Sequence, residues 1–75
     1  LDAQHNLAEM YETGKGVDKN LKKAYEYYLM AARKGNLDSQ IQVAAMYRDG
    51  IGTEKNLEKS QYWLEQIEKS KQDDQ

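Results

Sequence analysis

Apolar residues recur at helical spacing in four stretches of this chain, and the stretches fall into two pairs. In the first, Ala3, Leu7, Ala8, Met10 and Tyr11 share one face, which predicts a helix from Asp2 to Thr13 with Asp2 as its N-cap. Gly14 ends it by taking the left-handed conformation of a C-terminal cap, and Gly14 to Lys19 form a tight connection. Asn20 caps a second helix that carries Leu21, Ala24, Tyr25, Tyr27, Tyr28, Ala31 and Ala32 as far as Gly35. The third is predicted from Asp38, as N-cap, to Asp49. Gly50 and Gly52 then make a turn, and Asn56 caps a fourth helix that frays around Ser70.

The second pair repeats the first. Shifted by 36 positions, Ala8, Met10, Tyr11, Gly14, Gly16, Asn20 and Leu21 fall on Ala44, Met46, Tyr47, Gly50, Gly52, Asn56 and Leu57. A period in the thirties built from two amphipathic stretches belongs to a solenoid whose units bury their apolar faces on each other. The predicted fold is therefore all-α, an α/α solenoid of two helix-turn-helix repeats with four antiparallel helices. Its units are residues 1–36 and 37–70, and 71–75 form a polar tail.

The even-numbered helices differ in how widely they are apolar. On a helical wheel Leu21, Ala24, Tyr27, Tyr28 and Ala31 form one arc of the second helix, and Tyr25, Leu29 and Ala32 widen it. The fourth helix keeps the narrow arc as Leu57, Ser60, Trp63, Leu64 and Ile67. Its widening sector has become Gln61, Glu65 and Glu68, so it reads as a terminal cap with a polar outer face. No such loss marks the first helix, and with Leu1 in place of an initiator methionine the sequence reads as a piece of a longer array or a processed product.

Composition narrows the function more than the fold. At 75 residues the chain is one small domain, burying about 60 to 65% of the surface its unfolded form exposes. Charged residues make up 32% and mean hydropathy is -1.05, a disorder-like balance that the phasing of the apolar residues overrides. A net charge of -2 with acids and lysines interleaved argues against nucleic acid or an anionic membrane as partner. The lack of cysteine removes disulfides and thiolate zinc sites and leaves localisation open between cytoplasm and periplasm. No stretch approaches the ~20 apolar residues of a spanning helix, so membrane insertion is not expected.

The pattern Leu7-Ala8-x-Met10-Tyr11-x-x-Gly14-x-Gly16-Val17, followed by Lys23-Ala24-x-x-Tyr27-Tyr28-x-x-Ala31-Ala32-x-x-Gly35, resembles the Sel1-like repeat, a relative of the tetratricopeptide repeat. The second unit follows it through Val43, Ala44, Met46, Tyr47, Gly50 and Gly52, and departs at Thr53, Ser60, Ile67-Glu68 and Lys71. The resemblance implies an adaptor or scaffold that binds proteins, with no catalytic residues to carry over. A hydrolase activity assigned to some cysteine-rich members has no counterpart in a chain without cysteine.

No residue constellation points to chemistry. His5 with Glu9 one turn on offers two ligands, too few for a metal site, and no cofactor is expected. The two Gly-x-Gly pairs lie between helices and lack the strand and length of a phosphate loop. Ser39, Ser60 and Ser70 are expected to lack a base, so the chain is read as not an enzyme. Tyr11, Tyr27, Tyr28, Tyr47 and Trp63 are expected in the core, and Tyr62 outside it. A candidate partner surface remains: His5, Glu9 and Glu12 point away from the first helix's core arc, and their equivalents on the third helix are Ile41, Ala45 and Arg48. On the concave side of the stack these would form an apolar anchor with a charged rim for a protein or peptide. The alternative is that Ile41 touches a neighbouring helix and the segment terminates an array or self-associates.

Overall fold

The computed structural model describes residues 3–73, which form four α-helices with no strand among them: α1 (Ala3–Thr13), α2 (Leu21–Arg33), α3 (Leu37–Asp49) and α4 (Leu57–Asp73). Helices α1 and α2 make one hairpin and α3 and α4 the next, with α2 packed on α3 between them. The expected cap Asp2 lies outside the described residues.

Both hairpin turns are built the same way. Gly14 N–H donates to the Met10 carbonyl at 2.7 Å and Asn20 N–H to the Tyr11 carbonyl at 2.9 Å; the counterparts are Gly50 to Met46 at 2.7 Å and Asn56 to Tyr47 at 2.8 Å. Gly14 and Gly50 lie at φ 76° and 71°, the left-handed caps expected of them. Asn20 and Asn56 cap α2 and α4 by accepting from the backbone N–H groups of Lys23 and Lys59 at 3.1 and 3.0 Å.

Two helix ends differ from expectation. Helix α3 is capped by Asn36, whose Oδ1 accepts from Ser39 N–H at 2.9 Å, and Asp38 sits inside the first turn. There its carboxylate faces the positive end of the helix dipole, so it favours the helix start without capping it. Helix α4 runs past Ser70 to Asp73, because Lys71 and Gln72 extend a helix readily after the apolar arc has ended at Ile67.

The core is small and rich in alanine. Ala8, Ala24, Ala31, Ala32 and Ala44 are buried and let the helices approach closely, while Tyr28, Val43, Met46, Tyr47, Trp63 and Ile67 fill the space between them. Ser60 replaces the alanine expected from the first unit, and its hydroxyl donates to the Ala44 carbonyl at 2.8 Å. The serine thus adds a bond between α3 and α4 at no cost in volume. Of the aromatic residues expected inside, Tyr11 and Tyr27 are only half-buried and stack on each other with centroids 5.7 Å apart. Gln61, Glu65 and Glu68 are exposed, as the polar sector of α4 requires. Leu57 and Leu64, two members of its expected arc, are also exposed. Tyr28, the first-unit equivalent of Leu64, is buried beside His5 and Glu12 of α1, whereas Leu64 is half exposed.

Candidate interaction surface

The α1 part of the candidate surface is a closed polar cluster. His5 places its Nδ1 2.7 Å from the Ser39 hydroxyl of α3 and its Nε2 3.1 Å from Glu9 Oε1, and its ring meets the Tyr28 ring edge-on at 5.4 Å. The Tyr28 hydroxyl donates to Glu12 Oε1 at 2.8 Å. Burial, then the Glu12 bond and the charges of Glu12 and Glu9, push the Tyr28 phenol well above its ordinary value. His5 and Glu12 are half-buried and hold α1 to its neighbours, whereas Glu9 is exposed.

The His5 contact corrects the expectation that no serine meets a base. Serine, histidine and glutamate do line up, but Ser39 is 0% exposed, so no substrate carbonyl can reach its Oγ. The chain of bonds acts as a lock across the α1–α3 seam. Among the described residues no group of three or more His, Cys, Asp or Glu side chains is placed to hold a metal, and no helix is long and apolar enough to cross a membrane.

The α3 part is open. Ile41, Ala45 and Arg48 line a groove of about 130 Å³ with Ala44, Ser60 and Leu64, and Ile41 and Leu64 are each 46% exposed. The Arg48 guanidinium lies flat on its neighbour Asp49, with Nε and a terminal nitrogen 3.2 and 3.1 Å from the two carboxylate oxygens. Those bonds hold the Asp49 carboxyl below the usual carboxylate range. The rim therefore presents a paired cation and anion, not a lone positive charge. None of the α1 candidates lines this groove: His5, Glu9 and Glu12 surround Tyr28, and Ile41, Ala45 and Arg48 surround Leu64.

The shift of 36 explains the difference. Tyr28 and its polar neighbours are the first-unit counterparts of Leu64, Ile41, Ala45 and Arg48. In the first unit α3 closes the position through Ser39; in the second the residues are apolar and uncovered. Leu64 was assigned to the core on the wheel, but it is half exposed and belongs to the surface.

Helix pairs stacked with a fixed 36-residue period, joined by identical glycine-capped turns, define an α/α repeat solenoid of the tetratricopeptide type. The family model of the Sel1 repeat matches residues 1–36 and 37–67, and the chain belongs to the Sel1 repeat family. Repeats of this family generally serve as protein–protein interaction modules and are typically non-enzymatic scaffolds. Among solved structures the chain is similar to a Sel1 repeat protein from Oxalobacter formigenes, with 32% identity and a TM-score of 0.85 over 87% of this chain and 27% of that one. It is also similar to c5321, a protective antigen of uropathogenic Escherichia coli strains displaying an SLR fold, with 28% identity and a TM-score of 0.85 over 89% of this chain and 14% of that one. No curated protein matches the sequence.

Proposed function

We propose that the chain is a protein-interaction module whose protein or peptide partner contacts the sector of His5, Glu9, Glu12, Ile41, Ala45 and Arg48, with the weight on α3. The observation that carries this reading is the exposed apolar pair Ile41 and Leu64 facing one groove, with the charged Arg48 at its edge. Ile41 is the anchor and Arg48, with Asp49, the rim. Affinity capture with the full-length protein tests it. A partner held by the parent should be lost from Ile41→Asp, at a cost of ~2 kcal/mol or more, while the fold survives because the side chain is half in water. Arg48→Glu should change association rate and salt dependence more than residence time.

A second reading is favoured by the cover that α3 gives the equivalent positions of the first unit. On it the groove is a stacking face that ends an array or pairs with another copy. A dimer whose contact hides Ile41, or an unfolded Ile41→Asp variant, would decide for this structural role.

A further inference from the structure

A different groove runs between the end of α2 and the middle of α4. It has two adjoining lobes of about 230 and 270 Å³ that share Arg33, Tyr62 and Trp63; Gln40 lines the first, and Tyr47 and Lys59 line the second.

The walls carry an unusual set of unmet needs. Among the described residues no ion pair joins Arg33 or Lys59 to a carboxylate, and the Lys59 ammonium rests 5.6 Å over the Tyr47 ring. Gln40 is 6% exposed; its amide nitrogen donates to the Ala32 carbonyl at 3.1 Å, while its Oε1 is buried without a donor. Tyr62 is 54% exposed and meets Trp63 edge-on at 5.3 Å. Its first-unit counterpart is Glu26, so the second unit has exchanged a carboxylate for an aromatic at this point and left the cations of the groove unopposed.

We propose that this α2–α4 groove is a second recognition site, which takes an acidic peptide segment: a carboxylate between Arg33 and Lys59, and an apolar side chain against the exposed Tyr62. The site is separate from the Ile41 groove. Two cations are too few to track a nucleic-acid backbone, whereas they suffice for one or two carboxylates. The exposed tyrosine beside a buried tryptophan supplies the rigid aromatic contact that dominates peptide interfaces.

Trp63 is the only tryptophan of the chain, so its emission reports on the groove. A random-heptapeptide display library is selected on the full chain, and the best sequence is synthesised and titrated by tryptophan fluorescence. The selected peptides should share Asp or Glu at a fixed spacing from an aromatic or aliphatic residue. Replacing that acid by its amide, or Arg33→Glu in the protein, should weaken binding about tenfold or more. Arg33 is exposed, so the variant should melt like the parent; Arg33→Gln serves if it does not. Ile41→Asp should leave the peptide affinity unchanged, which separates this site from the one proposed above. Selection without an acidic consensus, affinity indifferent to both Arg33→Glu and Lys59→Glu, or displacement of the peptide by an oligothymidylate would overturn the proposal.

Discussion

Gly50 and Gly52 lie two residues apart at φ 71° and 72°, so an alanine at either meets the same backbone penalty. Their neighbours differ. A Cβ on Gly50 would lie 3.3 Å from Lys55 Cβ and 3.4 Å from the Lys55 backbone nitrogen, contacts that a shift of a few tenths of an ångström in the exposed turn relieves. On Gly52 it would lie 2.8 Å from the carbonyl carbon of Leu21, closer still to the carbonyl oxygen, and 3.1 Å from Tyr25 Cβ. Those atoms belong to the first turn of α2, which can yield only by moving the helix off the turn. The left-handed conformation alone costs an alanine about 1 kcal/mol, which is the whole effect expected of Gly50→Ala. Gly52→Ala adds an overpacking cost of about 1–3 kcal/mol. A domain of this size gains little more than about 3–5 kcal/mol from its core, so the second variant should be near the limit of folding. Thermal unfolding followed by circular dichroism should place Gly50→Ala about 4–8 °C below the parent and Gly52→Ala lower again by at least as much. Two variants melting within ~2 °C of each other would refute the close approach of this turn to α2, because the shared dihedral would then account for everything.

Trp63→Ala should cost about 3–5 kcal/mol and leave the chain largely unfolded at room temperature, since the indole is 9% exposed in the shared core; urea denaturation reads this directly. Glu65→Leu or Glu68→Leu should drive self-association in sedimentation, by extending the exposed Leu57 and Leu64 into a continuous apolar face. Burial and the hydroxyl of Tyr25 push the Tyr47 phenol from 10.0 up to about 12, and Tyr28 is raised as well. The unfolded chain therefore loses these protons first, so the contribution of the two phenols to stability should be fully present well below pH 10.0 and be lost as pH rises towards about 12. Denaturation at several alkaline pH values checks the sign, and Tyr28→Phe should reduce the slope.

The helices, their order and the turns were legible because apolar spacing and paired glycines repeat in register, so each unit corroborates the other. Asn36 was not legible as a cap, since it lies at the junction between units, where the repeat offers no second example within reach. The wheel also left His5 facing outward. It considers one helix at a time, and what buries His5 is Ser39 of α3 together with Tyr28 of α2. Leu64 failed in the opposite sense, being apolar by pattern but half exposed where Tyr28 is buried. The Arg33, Lys59 and Gln40 groove draws on three helices and could be suspected only from Tyr62, an aromatic at an outer position.

Among the described residues each helix packs chiefly on the helices next to it in the chain. The search for native partners is thus short at every step, which places the chain among fast folders with few long loops to close. It also sets an order of loss. Helices α2 and α3 each pack between two others, whereas α4 packs chiefly on α3 alone and α1 on α2 with only the His5–Ser39 bond to α3, so amide protons should exchange soonest in the outer helices, without the inner seam opening. The Ile41 groove and the Arg33 groove both use α4 as a wall. Transient release of that one helix would dismantle both surfaces together, making their availability a property of how well the last helix stays docked.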